Sequence, residues 1–116
     1  MNTTYSLSLT KRARSSLRSI YDYIRDVLSN ETAAKKMVSK LLQGMESLKT
    51  FPEAGFNADQ RYGKRINDTF ETRALVVKRY VILYFIDESR KEIVVSHIFS
   101  SKATISSCYK KISSEV

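Results

Sequence analysis

Three side chains in the second half of the chain could take part in acid–base or phosphate chemistry. His97 is the only histidine, and imidazole is the side chain that most readily exchanges a proton near neutral pH. Glu71 could accept a proton as a general base. Arg73 carries a planar guanidinium that fits a phosphate or a carboxylate. Each also has a structural interpretation: a hydrogen-bonded strand residue for His97, an ion pair with Arg73 or a loop arginine for Glu71, and a salt bridge to a helix acid for Arg73.

A second candidate site is a group of cations in the connection after residue 51, at a hairpin tip and near the C-terminus. Its members are Arg61, Lys64, Arg65, Lys78, Arg79 and Lys102. Tyr62 and Tyr80 lie among them in the sequence, and aromatic rings between cations suit stacking on exposed bases. The pattern predicts a surface that binds nucleic acid or another target. A solvated basic loop is the alternative.

The excess of basic over acidic residues favours an anionic partner. Lys and Arg number 20 against 12 Asp and Glu, a formal net charge of +8. RNA, DNA, an acidic protein or a membrane surface would each complement it. The length of 116 residues, with 42% hydrophobic and 28% charged residues, predicts one globular domain over residues 1–116.

Cysteine and histidine are too scarce for several classes of site. Cys108 and His97 each occur once, so the sequence predicts no disulfide framework, no metal and no cofactor. No run approaches the roughly 18 apolar residues of a membrane-spanning helix, and the N-terminus lacks the apolar stretch of a signal peptide. We therefore expect a cytoplasmic protein without membrane contact.

The first half of the chain predicts a strand followed by a helical hairpin. Residues 5–9 alternate between apolar and polar, as a short strand does. Residues 10–28 then form an amphipathic helix that Thr10 can cap, and Asn30 can cap a second helix that ends before Pro52. The apolar stripe of the first helix is Ala13, Leu17, Ile20, Ile24 and Val27. Residues 51–69 show no period and are predicted to be a long connection.

The second half predicts three strands and a last helix. The strands cover residues 70–77, 80–86 and 92–99, and they are rich in β-branched and aromatic residues. Ser100 or Ser101 can cap a C-terminal helix. The predicted fold class is therefore α+β, in the order β-α-α-β-β-β-α, with a helical hairpin packed on a small, mainly antiparallel sheet.

The central strands are apolar on both faces, which is unusual for a small antiparallel sheet. One face carries Leu75, Val77, Ile82, Tyr84 and Ile86, and the other carries Ala74, Val76, Val81, Leu83 and Phe85. The helical hairpin can cover only one of them. The C-terminal helix or a partner protein would cover the other.

Three short motifs, taken in order, resemble the RelE/ParE superfamily of type II toxin–antitoxin toxins. Leu48-Lys49-Thr50-Phe51-Pro52-Glu53-Ala54-Gly55 is similar to the Leu-x-x-x-Pro-x-x-Gly helix exit of that family. Arg73-Ala74-Leu75-Val76-Val77 follows at the start of the second strand. Tyr80-Val81-Ile82-Leu83-Tyr84-Phe85-Ile86-Asp87 is similar to the family's Tyr-x-Ile-x-Tyr-x-Ile-Asp strand. The resemblance covers nearly the whole chain and is closer to ParE than to RelE.

The resemblance implies a growth-inhibiting toxin that an antitoxin holds inactive in a hetero-oligomer. A helix or an extended segment of the antitoxin would dock on the sheet and the helices. The second apolar face is where we expect this contact, with Val76, Val81, Leu83 and Phe85 as the antitoxin-binding residues.

The family implies two molecular activities. Its ribonucleases cut messenger RNA on the ribosome, whereas its ParE-like members inhibit DNA gyrase without catalysis. Val81 stands where ribonucleases of the family have an arginine, and Ser100 and Ser101 stand where many have a His or Tyr. Both departures favour the ParE-like branch and leave the catalytic assignment open between His97, Arg73 and Glu71. A basic RNA-binding module without toxicity is the third interpretation.

Overall fold

A threonine at the start of the first helix ties that helix to the sheet. The computed structural model describes residues 5–100, which begin with strand β1 (Ser6–Leu9) and helix α1 (Lys11–Asp22). The Thr10 hydroxyl accepts a hydrogen bond from the Ala13 backbone N–H at 3.1 Å, which caps α1. The same hydroxyl donates to the Ser96 carbonyl at 2.9 Å, in the last strand of the sheet.

The end of the first helix departs from the predicted apolar stripe. Residues Tyr23–Val27 form one π-helical turn, after which Ser29 takes a φ of 51°. Because a π turn is wider than an α turn, it rotates the following residues away from the α-helical stripe. Val27 was predicted to be in the core, but it is 64% exposed.

The second helix begins and ends near its predicted positions. Asn30 accepts from the Ala33 backbone N–H at 2.9 Å and caps α2 (Glu31–Ser47). The connection that follows is more regular than its sequence predicts. It holds a two-residue strand, β2 (Phe56–Asn57), and a short helix, α3 (Ala58–Tyr62), which ends at Gly63 with a φ of 70°. These elements are too short to show a period.

Five strands form one mixed sheet in the order β1-β5-β4-β3-β2. The remaining strands are β3 (Arg73–Val77), β4 (Tyr80–Asp87) and β5 (Glu92–Ser100). β1 runs parallel to β5, and every other pair is antiparallel. The predicted α+β class, with a helical hairpin on a mainly antiparallel sheet, is confirmed. The predicted C-terminal helix lies outside the described residues.

The two faces of the sheet divide the core as the alternation of β3 and β4 predicts. Between the two helices and the sheet, Leu41 and Met45 of α2 pack with Ile82, Tyr84 and Ile93 of the strands. On the opposite face, a smaller cluster is built from Ala58, Ala74, Val81 and Leu83. Within residues 5–100, no helix is long and apolar enough to cross a membrane.

A β-bulge in β5 changes which face its last residues occupy. Leu83 pairs with His97, but Tyr84 pairs with Val95, so Ser96 is the extra residue. Val95 and Ile98 therefore both lie on the helix side, whereas His97 lies on the opposite side with Leu83.

Replacing Thr10 tests the link between α1 and the bulge. Thr10→Ala removes both hydrogen bonds, and we expect the free energy of unfolding to fall by about 1–2 kcal/mol. Thr10→Ser retains the hydroxyl and should unfold within about 0.5 kcal/mol of the parent. Chemical denaturation measures both variants. Equal losses in the two variants would show that the threonine methyl group, and not the hydroxyl, is what matters.

Candidate functional site

A buried tyrosine brings the three sequence motifs together. The Tyr84 hydroxyl donates to the Pro52 carbonyl at 2.6 Å and accepts from the Gly55 backbone N–H at 3.0 Å. Burial is the largest cause of a raised pKa for Tyr84, and the hydrogen bond from Gly55 partly opposes it. The hydroxyl therefore remains protonated and donates at neutral pH. This contact fixes the exit of α2 against the centre of the sheet.

Gly55 has no room for a side chain at this contact. A Cβ atom at Gly55 would lie 2.5 Å from the Ala74 carbonyl oxygen and 2.9 Å from the Tyr84 hydroxyl. Only glycine lets the loop backbone approach β3 this closely.

The Arg73 side chain binds the same loop and does not face an open site. Its Nη2 donates to the Gly55 carbonyl at 2.5 Å, and its Nη1 contacts Glu71 Oε2 at 3.0 Å. Only 16% of the Arg73 side chain is exposed, and its Nε is buried without a hydrogen-bond partner among residues 5–100. The pairing of Glu71 with Arg73 agrees with one structural interpretation of Glu71, but the partner of Arg73 is not the helix acid that its own interpretation named.

The structure does not assemble the three candidate catalytic residues. Paired residues on neighbouring strands share a face of the sheet. Arg73 pairs with Tyr84 on the helix side, whereas His97 pairs with Leu83 on the opposite side. His97 Nδ1 lies 2.9 Å from the Ser96 hydroxyl, which itself donates to the Leu83 carbonyl at 3.3 Å. This arrangement gives no shared site at which His97 and Arg73 could act on one phosphate.

The predicted basic group is divided between two surfaces. Arg61 lies over the Phe56 ring, 4.7 Å from its centroid, beside a shallow hollow on the outer edge of the sheet. Arg79 instead lines a cavity on the helix side, together with Tyr80. Lys64 and Arg65 are exposed after α3, and Lys78 is exposed at the hairpin tip with a φ of 56°. Lys102 lies outside the described residues.

The two tyrosines that the sequence places among these cations also lie on opposite faces. Tyr80 packs against the core below the helices, and Tyr62 packs against the cluster below α3. They therefore do not form one stacking platform.

The second apolar face is covered within the chain, contrary to the expectation that it is open for an antitoxin. Val81 and Leu83 are fully buried by α3 and its flanking residues. Phe85 stacks on Phe70, with ring centroids 4.6 Å apart. The physical reason is the connection before β3: it contributes Phe56, Tyr62 and Ile66 as an internal cover. Of the four predicted antitoxin-binding residues, Val76 remains exposed, at 53%.

The main opening on the helix side is an apolar cavity of about 720 Å³. Its lining comes from the end of α1, the π turn, the start of α2 and the adjoining ends of β4 and β5: Ser19, Ile20, Tyr23, Ile24, Leu28, Ala33, Met37, Arg79, Tyr80 and Ser100. Tyr23 and Leu28, at its mouth, are 51% and 57% exposed. Sequence periodicity misses this cavity, because the π turn that exposes these residues has no clear sequence signal.

Tyr80 lines the cavity, and its pKa is shifted there. Burial is the largest cause of a raised pKa for Tyr80, and the nearby Tyr23 hydroxyl raises it further. The Tyr80 phenol therefore stays neutral at physiological pH, and Arg79 supplies the positive charge at this end of the cavity. Among residues 5–100 there is no cluster of three His, Cys, Asp or Glu side chains that could hold a metal ion.

Several solved structures from ParDE and RelBE systems are similar to this chain in fold. One comes from the chromosomal ParDE system of P. aeruginosa, with 22% identity and a TM-score of 0.64 over 85% of this chain and 98% of that one. Another is in the RelBE2 toxin–antitoxin complex of Mycobacterium tuberculosis, with 15% identity and a TM-score of 0.60 over 86% and 94%. A third is in the RelE–RelB complex of Pyrococcus horikoshii OT3, with 12% identity and a TM-score of 0.56 over 87% and 99%. At these identities the similarity establishes the fold alone.

The sequence itself identifies the family. Residues 7–104 match the family described as the ParE toxin of the type II toxin–antitoxin system parDE. The chain therefore belongs to the ParE toxin family, and the predicted RelE/ParE resemblance, closer to ParE, is confirmed. No curated protein sequence gave a significant match.

Removing the buried hydroxyl tests whether the loop contact sets the stability of this fold. Tyr84→Phe leaves the Gly55 N–H without its acceptor and the Pro52 carbonyl without its donor, so we expect a loss of about 1–3 kcal/mol in the free energy of unfolding. Tyr80→Phe is the matched control from the same strand and should change it by less than about 0.5 kcal/mol. Denaturant titration compares the two. A Tyr84→Phe protein as stable as the control would mean that water satisfies both groups.

Proposed function

We propose that the chain is the toxin of a type II toxin–antitoxin pair and inhibits growth by binding a target protein, without catalysis. The observation that carries the non-catalytic part is the separation of Arg73 and His97 on opposite faces of the sheet. Cleavage of RNA through a phosphorane needs a proton-transferring group and a cation at the same phosphate. His97 and Arg73 do not form such a pair, and Glu71, which does contact Arg73, is engaged with it in an ion pair.

The target that best suits this proposal is DNA gyrase, as the ParE-like resemblance implies. The membership of residues 7–104 in the ParE toxin family supports this choice over the ribosome. Ribosome-dependent cleavage of messenger RNA is the alternative, and it would require proton transfer by a group other than His97 at the phosphate that Arg73 contacts.

An antitoxin partner is part of the same proposal. The solved P. aeruginosa, M. tuberculosis and P. horikoshii relatives come from toxin–antitoxin systems. We infer that the antitoxin covers the apolar surface still exposed on this chain, around Tyr23 and Leu28 at the cavity and around Val76 on the sheet. This inference replaces the expected contact with Val81 and Leu83.

Induced expression tests the proposed target. We expect growth to stop, plasmid DNA to lose negative supercoiling, and incorporation of labelled amino acids to persist while supercoiling changes. Co-expression of the protein encoded beside the gene should restore growth. Early arrest of translation with normal supercoiling would contradict the gyrase proposal and support the ribonuclease alternative.

His97→Gln tests the non-catalytic mechanism directly. Glutamine retains hydrogen-bonding capacity but cannot titrate near neutral pH. We expect the variant to arrest growth as strongly as the parent, at equal protein levels measured by immunoblot. A ribonuclease that uses His97 for proton transfer would lose about 100-fold or more of its activity. A harmless His97→Gln protein with an unchanged melting temperature would therefore contradict our proposal.

The basic loop is proposed to contact the target. Replacing Arg61, Lys64 and Arg65 with alanine should reduce toxicity and barely change the melting temperature, because these exposed side chains form no ion pair among residues 5–100. The matched control replaces Lys11, Arg14 and Arg90, which are also exposed, so the net charge falls equally. Equal toxicity of the two triple variants would mean that the net charge, and not the basic loop, sets the toxicity.

A further inference from the structure

The apolar cavity on the helix side has one end that differs chemically from the rest of its lining. Tyr80 and Ser100 are paired residues on β4 and β5, and both line the cavity from the sheet. Ser19 and Tyr23 line it from the first helix and the π turn, and the Tyr23 backbone N–H donates to the Ser19 carbonyl. Residues with hydroxyl groups therefore belong to both the sheet wall and the helix wall of the cavity.

Arg79 gives this end of the cavity a positive charge. Burial raises the pKa of Tyr80 most, Tyr23 raises it further and Arg79 lowers it, so the three side chains lie within electrostatic reach of one another. Arg79 is exposed, and within residues 5–100 it forms no ion pair and no Asp or Glu lines the cavity. We call this end the polar end; its residues are Ser19, Tyr23, Arg79, Tyr80 and Ser100.

The remainder of the lining is apolar and has the size of a ligand site. It consists of Ile20, Ile24, Leu28, Ala33 and Met37. The cavity volume of about 720 Å³ lies within the range of about 300–1,000 Å³ that is typical of sites for small molecules. An apolar chain over Leu28, which is 57% exposed, would remove apolar surface from water. The lining therefore suits a ligand with an apolar body and one polar end.

We propose that this cavity binds a single-chain amphiphile with one anionic head, of the chemical class of a medium-chain carboxylate. The head pairs with the Arg79 guanidinium and accepts a hydrogen bond from the Tyr80 hydroxyl. The chain packs on the apolar lining, which includes Leu28 and Met37. A cationic head would meet Arg79 at the polar end, and a sugar or nucleotide would place polar groups against apolar side chains. The inference concerns the free chain and does not depend on the proposed toxin function.

The methionine methyl groups provide the direct test, by NMR of the full chain without a partner protein. Met37 lines the cavity, whereas Met45 is fully buried in the core between α2 and the sheet. We expect sodium decanoate, below its micelle concentration, to shift the Met37 methyl signal in a saturable way and to leave that of Met45 unchanged. An unshifted Met37 signal would mean that residues 101–116 or another occupant fills the cavity, and it would overturn the proposal. Equal shifts of both signals would indicate general loosening of the core and would overturn it as well.

Arg79→Gln tests the positive charge at the polar end. Lys78→Gln is the matched control, because Lys78 is the adjacent exposed cation and does not line the cavity. We expect decanoate to bind Arg79→Gln about 10-fold more weakly than the parent and Lys78→Gln within about 2-fold of it, measured by isothermal titration calorimetry. Decyltrimethylammonium, which has a similar chain and a cationic head, should bind the parent about 10-fold or more weakly than decanoate does. Equal affinities of the two variants for decanoate, or of the parent for the two amphiphiles, contradict an anionic head.

Ala33→Phe fills the cavity without changing the charge. Thr32→Phe is the matched control on the neighbouring residue, which is exposed and does not line the cavity. We expect decanoate to bind Ala33→Phe about 10-fold or more weakly and Thr32→Phe within about 2-fold of the parent, with the fold of both variants checked by circular dichroism. A folded Ala33→Phe protein that binds decanoate like the parent would place the ligand outside the cavity and refute the site.

The length of the ligand chain keeps the test decisive if Ala33→Phe does not fold. Decanoate has two more methylene groups than octanoate, and burying both should make it bind the parent about 10-fold more tightly. Equal affinities for the two carboxylates would mean that only the head binds, which contradicts the proposal. If phosphatidylglycerol vesicles perturb the Met37 methyl signal and decanoate does not, the cavity contacts a membrane surface and the proposal is wrong.

Discussion

The buried phenol of Tyr84 must be hydrogen-bonded, and this requirement organises the molecule. It is met by the Pro52 carbonyl and the Gly55 N–H, both in the loop that follows α2. The loop can reach the phenol only because Gly55 has no side chain to collide with Ala74. Arg73 then holds the same loop through the Gly55 carbonyl. This contact anchors the exit of α2 to the sheet, and it engages Arg73 within the same loop.

The bulge at Ser96 decides which side chains can act together. An unbroken β5 would place His97 on the same face as Val95, below the helices and on the face of Tyr84 and Arg73. The extra residue moves His97 to the face covered by α3. Thr10 binds the Ser96 carbonyl and so couples this irregularity to the start of α1. His97 and Arg73 therefore lie on opposite faces of the sheet.

Periodic sequence patterns predicted the main helices and strands. Local irregularities in the backbone determine which side chains lie together at the candidate site. The alternation in β3 and β4 correctly assigned Ile82 and Tyr84 to the helix side. No sequence signal marked the bulge at Ser96 or the π turn at Tyr23–Val27, because each shifts the register by one residue without a glycine or proline. The connection before β3 covers Val81 and Leu83. Sequence periodicity did not predict this cover, because the elements of the connection span only two and five residues. Alternation alone therefore could not show that Val81 and Leu83 are buried within the chain.

An internally covered sheet changes what a partner can use. Once α3 covers one face and the helical hairpin covers the other, the exposed large apolar side chains lie outside the sheet faces' buried centre: at the π turn and just after it, at Leu42 on α2, at Phe51 after α2 and at Val76. Apolar area that a partner could bury therefore lies at these places and not on the sheet face that α3 covers.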